Sequence, residues 1–240
     1  MPPQSNIRLN AKIQLLLSLT GLLIVVALSV FPPTASEEIV WRKPVIGSIF
    51  NIFCFLGILA VFSPSRCGKV LDTRRKPVDA DSVNHVSSET SVVLQGHHPT
   101  CGKYKAHILR IGNDTYCAAC IGLLIGGLVA IFSSLPYFFG NIQFPEYNQS
   151  MIWVGVAGVT FGLFQYKFGS LLRLTANIIF VVSALLILVG VDGLVHSIFT
   201  DLFVFTLIAF LLFTRIVLSQ MDHEIICSGC DTESCEFKEK

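Results

Sequence analysis

From Ile13 to Phe31 the chain runs 19 residues without a charged side chain, and a helix needs about 20 such residues to cross the hydrocarbon of a bilayer. The apolar region of a cleaved secretory signal is shorter, roughly 7 to 15 residues, so this run reads as a retained membrane span. Five more apolar stretches follow at about 45–63, 120–139, 150–165, 174–194 and 202–218. In lipid every backbone N–H and C=O must find its partner inside the protein, and continuous apolar runs of this length meet that demand as helices. The pattern predicts an all-α integral membrane protein with six transmembrane helices. Composition agrees: 52% of residues are hydrophobic, 14% are charged and mean hydropathy is +0.67, where a soluble domain carries about 25% charged residues.

Prolines mark several ends, because proline lacks the amide donor that a helix interior uses. Pro32 and Pro33 follow the first run, Pro64 the second, and Pro136 with Gly140 is expected to close the third. A loop holding Glu37, Glu38, Arg42 and Lys43 joins the first two spans. The chain divides into an N-terminal helix pair (1–63), a basic juxtamembrane run and linker (64–95), a Cys/His module (96–122), a four-helix membrane region (120–218) and a Cys-rich tail (219–240). The Ser- and Asp-rich linker has no apolar period and is expected to be flexible.

A net charge of +1 sets up no global field, so no nucleic-acid partner is expected and the placement of the charges carries the information. Lys and Arg collect on the cytoplasmic side of short connections. With both termini inside, only Arg42 and Lys43 of the 17 Lys and Arg fall outside. The expected location is the cell membrane, with both cysteine clusters in the reducing cytoplasm.

The informative polar segment is His97–Gly122, HHPTCGKYKAHILRIGNDTYCAACIG. His98-x2-Cys101 and Cys117-x2-Cys120 are two pairs whose members can reach one ion from a tight turn, and tetrahedral Zn(II) is the ion most often held by mixed Cys and His ligands. The 15 residues between Cys101 and Cys117 suit a paired-knuckle site. They include an alternating run, Tyr104, Ala106, Ile108 and Arg110, then a Gly-Asn-Asp turn signal. A hairpin there would make a small zinc-ribbon-like module between helices 2 and 3. The candidate ligands are His98, Cys101, Cys117 and Cys120, with His97 and His107 as alternatives and iron as the alternative ion. Cys117 and Cys120 also open the third span, where helix-terminal amides favour thiolate. The tail holds a second candidate set, His223, Cys227, Cys230 and Cys235. Both sets lie on the same side and could dock or share ligands.

Smaller features have plainer readings. Gly122 with Gly126, and Gly158 with Gly162, have the spacing that lets helices approach closely in lipid. Asp192 and His196, four apart, read as a helix-end polar contact, Asn177 and Arg173 pair at the inner end of the fifth span, and Arg215 is expected to snorkel toward water. Cys54 reads as a packing residue.

The residues His98-Pro99-Thr100-Cys101, His107 and Tyr116-Cys117-Ala118-Ala119-Cys120-Ile121-Gly122 resemble a group of uncharacterised prokaryotic, largely archaeal, multi-pass membrane proteins. A broader membrane family with a Cys-Ala-Arg-Cys-Thr-Gly run at a helix start is distantly similar, with Asp192-Gly193 matching its later Asp-Gly. The resemblance implies a multi-pass membrane protein, supports the ligand set and implies no reaction.

No nucleotide-binding glycine loop, serine nucleophile motif or haem attachment signature occurs in the sequence. The reading is a membrane protein whose Cys/His module serves structure, metal sensing or docking of a cytoplasmic protein. The alternative is a thiol-disulfide oxidoreductase or electron carrier, and a metal-gated channel or transporter is the weakest.

Overall fold

The structure is a computed structural model that describes residues 4–33, 40–62, 107–111, 114–140 and 142–228. Its elements are α1 (Gln4–Val30), α2 (Arg42–Phe62), β1 (Ile108–Ile111), β2 (Asp114–Cys117), α3 (Ala118–Phe138), α4 (Asn148–Leu163), α5 (Ser170–Val195) and α6 (Ile198–Ser228). Single 3-10 turns, Pro145–Tyr147 and Gln165–Lys167, flank α4. Helices α1, α2, α3, α5 and α6 are each long and apolar enough to cross a membrane. The expected fourth span is shorter, since α4 has 16 residues, about 24 Å at 1.5 Å per residue.

Helix α5 lies at the centre, 61% of its span being buried against 22% to 39% for the other four. Glycine brings two neighbours onto it. A side chain at Gly122 of α3 would strike the Leu174 carbonyl of α5, and one at Gly158 of α4 would strike Ser183. Along α4, Asn148 meets Gly190 and Gly193 of α5, Gly155 meets Ile187, and Gly162 meets Ala176 and Phe180. Thus α4 runs antiparallel to α5 along about 25 Å of its height, the rise from residue 176 to 193. The core around α5 draws Ile152 and Val159 from α4, Ala130 and Tyr137 from α3, Leu211 from α6, Val25 from α1 and Phe50 from α2. The outer surfaces are apolar as well, with Leu16, Leu23, Ile52, Phe55 and Phe132 exposed, as a lipid-facing bundle requires.

Several ends differ from expectation. Helix α1 begins at Gln4, nine residues before the apolar run that starts at Ile13. Arg42 and Lys43, expected in a loop, form the first turn of α2, where Pro44 is tolerated because first-turn amides have no intrahelical acceptor. Pro136 lies inside α3, within its last turn. Asp201 belongs to the first turn of α6, not to the preceding connection, and α6 continues to Ser228 rather than ending near Leu218. Only His196 and Ser197 separate α5 from α6. His196 takes the left-handed conformation, φ 49°, that stops the helix, its N–H donating to the Asp192 carbonyl at 3.3 Å.

The two strands pair antiparallel, Ile108 opposite Cys117 and Ile111 opposite Asp114. This is the expected hairpin, its return strand ending at Cys117. The hairpin end of the bundle gathers the starts of α3 and α5 and the end of α6. The start of α1 lies there too, since Ser18 of α1 bonds Thr214 of α6 at 2.9 Å while Gly21 meets Leu207, so that α1 runs antiparallel to α6. The starts of α2, α4 and α6 and the end of α5 lie at the far end.

Candidate metal centre and a buried ion network

Cys117 is the last residue of β2 and the N-cap of α3, with extended backbone angles of −74° and 114°. The Ala118 N–H donates to the His107 carbonyl at 3.0 Å, so the last rung of the hairpin passes directly into the helix. Cys120 follows within the first helical turn, which brings the two sulfurs together. Both residues are half-buried, and neither forms a disulfide. The Cys117 thiol is pushed down from 9.0 to about 6. The hydrogen bond from the Cys120 side chain is the largest cause, with the Cys120 and Ala119 amides and the charge of Arg215 adding to it while burial opposes. This is the environment that yields a thiolate able to ligate metal.

His107 fastens the hairpin to the bundle. Its Nδ1 lies 2.7 Å from Arg173 Nη1. Arginine only donates, so Nδ1 accepts and the ring proton sits on Nε2, which faces Asp222 Oδ2 at 3.4 Å. Arg173 completes the triangle, reaching Asp222 Oδ2 at 3.3 Å and the Tyr166 carbonyl at 3.0 Å. The His223 ring meets His107 edge-on at 5.1 Å. Both nitrogens of His107 thus face protein groups, which makes it a connector more than a ligand. The expected Arg173–Asn177 contact is present, Asn177 Nδ2 donating to the Arg173 carbonyl at 2.7 Å.

Arg215 departs from expectation. It does not snorkel: it is 5% exposed, its Nη2 donates to Gln165 Oε1 at 3.3 Å, and its guanidinium lies 5.7 Å from the centre of the Phe180 ring.

Of the candidate ligands, the structure brings together Cys117 and Cys120, and it brings His107 beside His223. His97, His98, Cys101, Cys230 and Cys235 lie outside the described residues, and Cys227 falls in the last turn of α6. Among the described residues no three His, Cys, Asp or Glu side chains converge as a metal site. What is described fits half of a zinc knuckle, two soft donors in contact at a helix start with a cation nearby.

The far end holds a network that sequence reasoning missed. Arg42 donates to Asp201 Oδ2 and lies 2.7 Å from Asp192 Oδ1. The latter contact lacks the alignment of a hydrogen bond, since Asp192 Oδ1 has no partner by that measure, and charge is what holds it. Tyr137 donates to Asp192 Oδ2 at 2.5 Å. Lys43 stands 4.0 Å from the same oxygen and 4.4 Å above the Tyr137 ring. Asp192, Asp201 and Arg42 are 0%, 1% and 3% exposed. Asp192 therefore pairs with α2 and α3, while only the backbone of His196 bonds back to it. The available signal was charge at membrane depth: Arg42 and Lys43 are the basic residues set apart by the orientation argument, and buried charges need partners.

These features define a mostly helical protein with five helices, among the described residues, long and apolar enough to cross a membrane. Comparison with family models, with curated proteins and with solved structures found no match in any of the three.

Proposed function

We propose that this is a six-pass cell-membrane protein, termini in the cytoplasm, whose hairpin module binds a divalent metal, zinc in the first place and iron as the alternative. The ion fastens the segment before α3 to the bundle, and the module serves structure, metal sensing or docking of a cytoplasmic protein. The observation that carries this is the pairing of Cys117 and Cys120 at the junction of hairpin and helix, with Cys117 acidified to about 6. His98 and Cys101 would complete a closed, four-ligand site of the structural type. Three facts support six crossings and this orientation. Helix α4 follows α5 through most of its height, Arg42 and Lys43 begin a helix at the far end, and Lys167, Arg173 and Arg215 gather at the hairpin end. Lys and Arg favour the cytoplasmic side. The motif's resemblance to the archaeal-like membrane group goes with the same reading.

The test is metal analysis of protein purified without added metal. One zinc per chain is expected, lost in C117S/C120S; a metal-free wild type, also unable to take up zinc or iron on titration, overturns the proposal. A second site in the tail, built on His223, Cys227, Cys230 and Cys235, would raise the count to two, and tail substitutions alone would bring it back to one.

One observation favours a second reading. An acidified first cysteine of a Cys-x2-Cys pair at a helix start is also what a thiol-disulfide oxidoreductase uses. That reading expects a reversible Cys117–Cys120 disulfide when the protein is equilibrated in thiol-disulfide buffers. Thiols that stay reduced, or stay metal-bound, across the range count against it.

A further inference from the structure

Arg215 is a buried cation for which the described residues supply no counter-charge. It lies eight residues, about 12 Å of helix rise, inside the end of the apolar span of α6 at His223. Among the described residues no carboxylate is within ion-pair distance of it. Asp222, the acid on the same helix, is held by Arg173 and His107 at 3.3 and 3.4 Å. Among those residues only the Nη2 of Arg215 has a hydrogen-bond partner, the neutral Gln165 Oε1 at 3.3 Å, and its Nε has none. A charge at this depth is retained against an opposite charge.

The short turn Gln165–Lys167, just after α4, gathers three cations. Arg215 rests on the Gln165 side chain, Arg173 donates to the Tyr166 carbonyl at 3.0 Å, and Lys167 is the next residue, exposed, its Nζ 5.6 Å from the centre of the Phe164 ring. Asp222 matches one of the three. The Nε of Arg173, like that of Arg215, is buried without a hydrogen-bond partner. Apolar side chains stand exposed next to these cations: Leu171 and Leu172 directly precede Arg173, and Phe213 lies two residues before Arg215.

We infer that this turn and the two arginines form a site for the phosphate of an anionic phospholipid, whose acyl chains lie along Leu171, Leu172 and Phe213. The ligand is an anion because an excess of positive charge remains after Asp222 is counted. At the level of an apolar span the surrounding solvent is lipid, and basic pockets between membrane helices hold anionic headgroups. Phosphate suits a pair of guanidiniums, whose forked donors match its oxygens. Inorganic phosphate offers the same oxygens but nothing to cover the exposed apolar side chains. The site needs no metal and stands whether or not the hairpin binds one.

The experiment follows thermal unfolding of the full chain in detergent, with added phosphatidylglycerol, with phosphatidylcholine, whose headgroup carries no net charge, or with inorganic phosphate. A ligand that binds the folded protein raises the midpoint. In wild type, phosphatidylglycerol is expected to act at a concentration about fivefold or more below that of phosphatidylcholine, since each Lys or Arg beside an anionic headgroup contributes about that factor. R215Q, which removes the charge, should lose most of this preference, and R215K, which keeps it, should stay within about twofold of wild type. Equal responses to the two lipids in wild type overturn the inference whether or not R215Q folds. A preference that R215Q keeps in full also overturns it, because anionic lipid is then drawn to the basic end in general. A wild type that responds to inorganic phosphate as strongly as to phosphatidylglycerol makes free phosphate the ligand and overturns the lipid assignment. Native mass spectrometry supplies a second count: one phosphatidylglycerol should stay bound to wild type and be lost from R215Q, and a wild type that retains none refutes the site.

Discussion

Arg42→Met removes the one guanidinium from a site where two carboxylates are almost wholly buried. In the native protein Arg42 meets Asp201 directly and Asp192 at 2.7 Å, all three being at least 96% shielded on their side chains. Deleting one partner of a buried ion pair costs about 3–5 kcal/mol, because the charge left behind is uncompensated. Two carboxylates are orphaned here, and the Tyr137 hydroxyl at 2.5 Å and Lys43 at 4.0 Å remain beside Asp192 alone. The upper part of the range, about 4–5 kcal/mol, is therefore expected. At roughly 2–4 °C per kcal/mol for chains of this size, the midpoint of thermal unfolding in detergent should fall by about 8–20 °C. The companion is R42M/D192N/D201N, which removes the charges together. Replacing a whole buried ion network by neutral groups is often close to neutral, so the triple variant should regain most of the loss. A shift under about 2 °C in R42M, or a triple variant no more stable than the single one, would refute the account of this end as a charge clamp joining α2, α3, α5 and α6.

Three further outcomes follow from the packing and the hairpin. Gly122→Val places a side chain on the Leu174 carbonyl, a backbone atom that cannot step aside, and should cost about 1–3 kcal/mol of stability, whereas Gly57→Ala, with nothing within 4 Å, should be tolerated; thermal unfolding of both checks the pair. Alkylation of metal-free Cys117 by iodoacetamide should reach half its maximal rate near pH 6 instead of near 9.0, and a midpoint above about 8 contradicts the environment described. The sign for stability is that of a depressed acid: the folded value lies below the unfolded one, so the Cys117 thiolate adds stability that is complete above pH 9 and is lost as pH falls through 6. His107→Ala removes the contacts to Arg173 and Asp222 and should raise amide exchange across 108–117 by about tenfold or more, since hydrogen bonds to charged groups contribute about 1.5–3 kcal/mol. Unchanged exchange would mean that the hairpin docks by other means.

The membrane-crossing class was legible in the sequence because hydropathy is local: a run such as Ile13–Phe31 states its own solvent whatever the rest of the chain does. The hairpin and the junction at Cys117 were legible for the same reason, since turn residues and a two-residue ligand spacing act over a few bonds. Helix ends were less so. Pro136 and Arg42 show why: a proline near a helix end and a charge at a helix start are each compatible with loop or helix until the neighbouring elements settle which. What only the tertiary structure decided are the long-range pairings. Arg42 and Asp201 meet across 159 positions, and nothing in either neighbourhood names the other. Arg215 looked able to reach water because its stem is long, yet Gln165 and Phe180, contributed by other segments, enclose it. Burial and charge pairing depend on which helices become neighbours. That choice was made by glycines on α3 and α4 letting α5 into the centre, and it carried the acidic and basic groups of α2, α5 and α6 into the positions from which they act.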